Sequence, residues 1–402
     1  MKERMELVSL FGTGRYTVSG LAWRFGVSRK TAHKWLGRYA REGASGLDER
    51  SRAPYRRPRA TPSAVVLAVL RAKEAHATWG PAKLLPSPGE PPEIAGAWPA
   101  VSTRGRILAL HDMVTPRRRR RRVSPWTQPF LGADRSNSVW CADFKGWVRT
   151  ADGARCDPLT ITDAYSRMLL CCQILPKPDY AHVRPAFERV FREYGLPLAM
   201  RTDNGPPFAS VGLGGLSPLS VWWVKLGIIP ERIQPGHPEQ NGRHERMHRT
   251  LKQEVMHPPA ATPLAQQQRC DNFRPLPARP RPEAGLVFNT LRPHEALGQV
   301  PPASCYLPST RTYPDRLGDV QYPPLTEVRR VRSNGQIKWR GELVFVSTAL
   351  IGELVGISEQ EDAWLVSFAS IPLGRLYPHK ATLEPLAYNL NSYRKCVTHV
   401  LS

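Results

Sequence analysis

The stretch Trp140-Cys-Ala-Asp-Phe-Lys-Gly-Trp147 decides how the middle of this chain is read. In an extended strand successive side chains alternate, so Trp140, Ala142 and Phe144 share one face while Cys141, Asp143 and Lys145 share the other. A carboxylate in the middle of such an apolar strand is costly unless it is paired or binds a metal. The pattern predicts a strand over Val139–Val148. Working outward, Asp157–Asp163 and Arg167–Leu175 read as further strands joined by Ala-Tyr-Ser. A helix is predicted over His182–Tyr194, because Val183, Phe187, Val190, Phe191 and Tyr194 recur at helical spacing. Gly195 and Pro197 end it, and Leu198–Thr202 is a short strand leading into Asp203. A helix near Leu219–Leu226, a strand at Glu231–Gln234 and a helix over Gly242–Val255 complete the run. This order predicts an α/β unit, a mixed sheet covered by helices.

Three carboxylates stand out within it. Asp143 is mid-strand. Asp203, in Arg201-Thr-Asp-Asn-Gly-Pro-Pro-Phe208, lies at a strand's carboxyl end, where open sheets bind ligands, and the Asn-Gly that follows lets the chain turn away; a plain turn role for Asp-Asn-Gly is the competing reading. Glu245 lies in His237-Pro-Glu-Gln-Asn-Gly-Arg-His-Glu-Arg-Met-His-Arg-Thr-Leu-Lys252. On a helix, Glu245, Arg249 and Lys252 share one face, and Met247, Leu251 and Val255 share the one that should be buried. A surface ion pair is the competing reading of Glu245 with Arg249. Asp163 is read as structural, since it begins a turn. His237, His244 and His248 have no cysteine nearby, and a zinc site is not favoured.

Outside this unit, charge dominates. The 402 residues carry a formal net charge of +23, an excess that asks for a polyanion, and nucleic acid is the usual one. Residues 1–50 read as an all-α helix-turn-helix domain. Leu21, Ala22 and Phe25 point inward, Gly26 turns the chain, and Ser28 is placed to cap the next helix. There Ala32, Trp35, Leu36 and Tyr39 should face the core, leaving Arg29, Lys30, His33 and Lys34 for a major groove. Residues 61–114 read as a second, partly degraded helix-turn-helix-like unit, with no readable helix between Pro86 and Pro99 and a capped basic helix from Ser102. Residues 115–135, with six arginines at Arg117–Arg122, read as a basic linker. Residues 257–325 read as a proline-rich connector. Residues 326–376 hold six short strand patterns, with a hairpin turn at Asn334-Gly335, and predict a small β-barrel. Residues 377–402 show no pattern. The seven cysteines form no CxxC pair, and adjacent Cys171 and Cys172 suit opposite faces of a strand. No apolar run is long enough to span a bilayer, and a reduced, cytoplasmic, nucleoid-associated protein is the simple expectation.

The three core motifs, taken together over most of 136–256, resemble the catalytic core of insertion-sequence transposases in the retroviral-integrase superfamily, closest to the insertion sequences numbered four-eight-one. Asn289-Thr-Leu-Arg-Pro-His-Glu-Ala-Leu-Gly298 resembles the family's post-core segment. The resemblance implies an RNase H-like fold for 136–256 and an Asp-Asp-Glu triad of Asp143, Asp203 and Glu245 that binds two divalent ions, Mg²⁺ or Mn²⁺. It implies DNA strand cleavage and 3′-end strand transfer, with double-stranded DNA (terminal inverted repeats and target) as partner and a homo-oligomer in the DNA complex. The family's usual spacing, counted from Asp203, lands on Glu239. The motif itself places the glutamate three residues after Gly242, at Glu245, with an insertion at Val211–Pro218 making up the difference. The sequence departs from the family at 86–99, at 274–285 and in the 377–402 tail. The rival from another class is a catalytically inactive relic that only binds DNA through its helix-turn-helix.

Overall fold

The structure, a computed structural model, describes residues 2–50, 60–87, 89–114, 132–234, 237–274, 288–377 and 380–386. The Arg117–Arg122 run, residues 51–59, the prolines between residues 275 and 287 and the last sixteen residues lie outside the described residues. The chain divides into two units, Met1–Pro62 and Ser63–Ser402.

The first unit holds α1 (Lys2–Gly12), α2 (Val18–Arg24) and α3 (Arg29–Glu42). Thr17 caps α2 by accepting from Gly20 N at 3.2 Å, and Ser28 caps α3 by accepting from Thr31 N at 3.1 Å. Between them Gly26 takes a left-handed φ of 62°, which only glycine adopts without strain. Leu7, Leu21, Ala22 and Ala32 are buried, with Phe25, Trp35 and Leu36 packed around them. Tyr39 does not join this core and is 38% exposed. The chain returning through Gly43–Leu47 covers the last turn of α3 at Arg38 and Glu42, so the inner position there is filled by backbone rather than by Tyr39.

The second unit begins with α4 (Ser63–Ala75), α5 (Pro92–Gly96) and α6 (Val101–Leu110), packed around Val69, Trp79, Leu84, Ile107 and Leu108. Two expectations are corrected here. A short helix does form between Pro86 and Pro99, because Pro92 occupies its first turn, where the missing N–H costs nothing. And α6 starts from Ala100 without a side-chain cap, with its Arg104 turned inward to the Leu84 carbonyl instead of outward.

The central sheet comprises β1 (Val139–Phe144), β2 (Val148–Arg149), β3 (Arg155–Asp163), β4 (Leu169–Leu175), β5 (Ala199–Thr202) and β6 (Ile229–Arg232). The order runs β4-β3-β1-β5-β6, with β2 beside β3. β3 pairs antiparallel with β1, β2 and β4, whereas β1–β5 and β5–β6 are parallel. The predicted single strand over Val139–Val148 breaks at Gly146, whose φ of 83° turns the chain out of the ladder. Helices α7 (Tyr180–Tyr194) and α8 (Pro218–Lys225) cover one face, where Trp140, Leu159, Phe187, Phe191 and Trp223 are buried together. Helices α9 (Gly242–Glu254) and α10 (Pro263–Phe273) cover the other, where Leu169, Met247, Leu251 and Phe273 pack. Cys171 lies in the first cluster and Cys172 in the second, as strand alternation requires. The connector reading misses α10. Its glutamine-rich sequence lacks an apolar stripe, and Gln266 instead bonds the Val255 carbonyl and the Ala260 amide, both at 3.0 Å.

The C-terminal block holds β7 (Glu327–Arg330), β8 (Gln336–Trp339), β9 (Glu342–Phe345), β10 (Leu354–Glu359), β11 (Trp364–Phe368), β12 (Ile371–Tyr377) and β13 (Lys380–Pro385). Among the described residues its ladders do not close into one barrel. A five-stranded sheet, β13-β12-β11-β10-β7, and the β8–β9 hairpin share one apolar core. The hairpin turn falls at Arg340-Gly341, both with positive φ, which matches the strand twist. Asn334-Gly335 turns the chain between β7 and β8, which are not ladder partners. β13 extends the block past the expected end at 376. The Gly- and Ser-rich loop at 211–217 is tied to this block: Leu213 and Leu216 enter its core, and Lys225 pairs with Glu353 at 2.8 Å.

Phe191 packs on Trp140, Phe187, Trp222 and Tyr313 with no exposed surface. Phe191→Ala is expected to destabilise the second unit by about 3–5 kcal/mol, read from the midpoint of urea denaturation.

Candidate active site

The site grows from the carboxyl ends of β1 and β5. In their parallel pairing Cys141 lies level with Arg201, so Asp143 and Asp203, each two residues further on, emerge side by side at the same edge. On its other side Asp143 pairs with Thr160 of β3. The face assignment from alternation holds: Trp140 and Ala142 pack under α7 and α8, while Cys141 packs on the opposite face with Val139, Ala164 and Ala199.

Electrostatics record the crowding. The Asp143 carboxyl is pushed up to about 7, by burial first, then by the Asp203 carboxylate, with Glu245 contributing more weakly in the same direction. Burial also raises Asp203, against one hydrogen bond from Gly205 N at 3.2 Å. Gly205 opens a turn without adopting a left-handed conformation, its carbonyl accepting from Phe208 N at 3.0 Å. A Cβ there would stand 3.2 Å from Asp203 Oδ2, and glycine keeps that side of the carboxylate clear. Behind Asp203, β5 is fastened to β6 by the buried Arg201–Glu231 pair at 2.8 Å.

Glu245 is exposed on the first turn of α9, and Arg249 and Lys252 are exposed further along it. Met247, Leu251 and Val255 are buried, as the helical-face reading expects. Glu239 lies in the 3-10 turn Pro238–Asn241 that precedes α9. Asp163 is fully buried and accepts from Asn137 N, Ser166 N and Ser166 Oγ, at 2.8, 2.7 and 2.6 Å, which is the structural role read for it. Among the described residues, no three His, Cys, Asp or Glu side chains already converge tightly enough to hold an ion.

A feature the sequence reading weighs only as a zinc site has another purpose. His244 and His248, one turn apart on α9, both reach Thr160 Oγ1 with Nε2, at 2.8 and 2.7 Å, while Thr160 Oγ1 also lies 3.1 Å from the Asp143 carbonyl. A hydroxyl has one proton, and the carbonyl only accepts. Thr160 therefore donates to Asp143 O, and both imidazoles donate Nε2–H to Thr160. His244 Nδ1 then accepts from Thr162 Oγ1 at 2.8 Å. Burial drives both imidazoles far below their ordinary range, so both are neutral near pH 7. His248 Nδ1 is left 3.8 Å from Asp143 Oδ2, facing it as a neutral group rather than as an ion-pair partner. The signal for this network was the i,i+4 histidine pair flanking Met247 on the buried side of an otherwise polar helix.

In the first unit, Ser28 is the helix cap, and Arg29, Lys30, His33 and Lys34 are all exposed on the first two turns of α3. Among the described residues no helix is long and apolar enough to cross a membrane.

The sheet thus carries Asp143 and Asp203 at the ends of adjacent parallel strands, with Glu245 on a covering helix. Two families described as "Integrase core domain" match residues 133–238 and 226–275, and one described as "leucine-zipper of insertion element IS481" matches residues 4–71. Within those last residues the structure has separate helices rather than one long one. The 39.2 kDa protein of insertion element IS476 from Xanthomonas euvesicatoria is 29% identical over 190 residues, 47% of this chain and 50% of its own length. The 31.7 kDa protein of insertion element IS407 from Burkholderia multivorans is 29% identical, over 42% of this chain and 54% of its own length. The chain thus spans about half the length of the curated relatives it matches. A magnesium complex of the HTLV-2 integrase catalytic core domain overlaps 43% of this chain and 99% of its own, at 16% identity and a TM-score of 0.32. The chain thus carries an integrase core domain and, over residues 4–71, a match to the leucine-zipper of insertion element IS481, and it resembles the proteins of insertion elements.

Thr160→Val keeps the shape of the side chain but takes the hydroxyl acceptor from two buried imidazole N–H groups. It is expected to cost at least about 1–3 kcal/mol, measured as a lowered urea midpoint of the second unit.

Proposed function

We propose that this protein is a DNA transposase that cuts at the ends of its insertion sequence and joins the 3′-ends to target DNA, using Asp143, Asp203 and Glu245. The observation that carries the reading is the adjacency of Asp143 and Asp203 at the carboxyl ends of β1 and β5, with Glu245 near enough on α9 to act on the Asp143 carboxyl. Hard oxygen donors that repel one another at neutral pH fit a divalent cation, and they have reason to stand apart until one lies between them. The three carboxylates would hold two ions, Mg²⁺ or Mn²⁺. When bound, such ions activate the attacking oxygen and stabilise the leaving 3′-oxygen.

The chain's own residues do the rest. Thr160, His244 and His248 hold β1 and α9 in register beneath the carboxylates. Arg249 and Lys252, on the exposed face of α9 with Glu245, would bind DNA phosphates. In cleavage a water oxygen forms the new bond to phosphorus as the bond to the 3′-oxygen breaks. In joining, the freed 3′-hydroxyl attacks a target phosphodiester and one strand bond replaces another, so no external energy source is needed. The exposed start of α3, capped by Ser28, fits a major groove through Arg29, Lys30, His33 and Lys34, with the terminal inverted repeats as its target. Pairing two element ends calls for a homo-oligomer on DNA, and the cell compartment that follows is the nucleoid-bearing cytoplasm. The sheet-and-hairpin block at 327–385 is read as an accessory DNA grip.

Cleavage and joining of labelled DNA carrying the element's ends, in Mg²⁺ or Mn²⁺, test this. Asp143→Asn, Asp203→Asn and Glu245→Gln are each expected to reduce both steps to the level seen in EDTA, while Glu239→Gln retains them. Binding without cleavage by the unmodified protein would instead identify an inactive DNA-binding relic. Lys30→Gln with Lys34→Gln is expected to weaken binding to the inverted repeat and to lower the slope of log K against log salt by about one for each phosphate contact removed, measured by fluorescence anisotropy.

A further inference from the structure

On the second unit, four distant chain segments bring basic side chains together around the β3–β4 turn and the start of α9. Arg167 sits in that turn, Arg243 and Arg246 on α9, Lys83 before α6, and Arg292 in the segment after α10. Arg243 Nη1 donates to the Ala164 carbonyl of the same turn at 3.2 Å. Around the His294 imidazole, the charges of Lys83, Arg292, Arg167 and Arg246 all act together. Lys83 is pushed down to about 8, by burial first and then by Arg292, with Arg246 adding to the effect. Arg167 falls to about 10, by burial first and then by Arg243. Carboxylates balance the group only in part: Glu254 pairs with Arg292 and acts on Lys83 more strongly than Arg246 does. Glu254 is engaged by Arg292 at 2.5 Å and by Thr78, Glu295 acts on Lys83 more weakly than the cations do, and Asp163 spends its oxygens on Asn137 and Ser166.

Two details mark the cluster. Arg167 Nη1 and His294 Nε2 are buried polar atoms with no hydrogen-bond partner among the described residues. Such an atom costs stability unless water, an ion or a ligand satisfies it. Arg167 also occupies a left-handed backbone position, with φ of 65°, where glycine would be relaxed. A charged side chain is retained there against both conformational strain and the repulsion of its neighbours.

We infer that Arg167, Arg243, Arg246 and Lys83 form a second phosphate-binding site, which takes a backbone phosphodiester of the DNA at the β3–β4 turn, beside the end of β1 opposite to Asp143, and is separate from Arg249 and Lys252. The inference rests on the transposase reading for its ligand. A DNA whose reacting phosphate lies at Asp143 and Asp203 is then held at the Arg167 turn as well as by Arg249 and Lys252.

The test uses the full-length protein, a duplex carrying the element's end, and EDTA to suppress chemistry. Arg246→Gln and, separately, Arg167→Gly are the variants, the second because it removes charge and backbone strain together. Each is expected to weaken DNA binding and to lower the salt slope by about one. In DNA-free buffer at low salt, each is expected to raise the thermal midpoint by about 1 °C or more, because repulsion is relieved. That opposite movement separates a ligand site from a structural ion-pair network, in which both variants would be less stable. A lowered midpoint, or an unchanged affinity and slope in variants that remain folded, overturns the site. If the unmodified protein binds no DNA, the transposase reading itself fails, and the ligand assigned here fails with it.

Discussion

Repulsion between Asp143 and Asp203 is the load that the core must withstand. Two carboxylates on neighbouring strands, one of them pushed up to about 7, would ordinarily be relieved by a small shift of one strand. Here neither strand has that freedom. β1 is paired on both sides, antiparallel to β3 and parallel to β5. β5 is fixed beyond by the buried Arg201–Glu231 pair. Below, the Thr160 hydroxyl ties the Asp143 backbone to two imidazoles of α9, so the helix that carries Glu245 is anchored to the strand that carries Asp143. The apolar packing on both faces of the sheet supplies the stability that makes this placement tolerable.

The parts of this core that were legible in the sequence are those with a strong periodic signal. Strand alternation at Trp140–Phe144 placed Asp143 on the right face, and the Met247, Leu251 and Val255 stripe placed Glu245 on the exposed side of α9. Adjacent Cys171 and Cys172 were correctly read as facing opposite sides. What was hidden depended on contacts between distant segments. α10 buries a glutamine through hydrogen bonds to backbone at 255 and 260, which no hydropathy pattern reveals. The histidine pair looked like a metal motif considered alone, because its partner Thr160 is some eighty residues away in the chain. Arg104, read as part of a capped basic helix, is turned inward by a carbonyl twenty residues before it. Tyr39 fitted the helical stripe, yet the Gly43–Leu47 return occupies the place it would have filled.

Charge is distributed accordingly. An excess of +23 over the whole chain says only that a polyanion is wanted. The structure divides part of that excess into groups with different geometry: the exposed start of α3, the outer face of α9, and the crowded set around Arg167. On the proposed function the first would suit a groove, and the other two backbone phosphates. Phosphate contacts position a duplex without reading its sequence, so on that proposal placement and recognition of a particular end would fall to separate parts of the protein.

The loop at 211–217 links the core to the C-terminal block through Leu213, Leu216 and a glycine, Gly214, pressed against Leu373 and Ile371. It follows the segment that carries Asp203 by only a few residues. The C-terminal block is therefore not a detachable accessory. Its own hydrophobic interior is completed by side chains borrowed from the catalytic domain, and the inserted loop has no other place to bury them. Exchanging that block for its counterpart from a relative without the loop would leave a cavity on one side and a greasy, unsupported loop on the other. The loop and the block therefore fold as one piece, and a change to either is felt in the other.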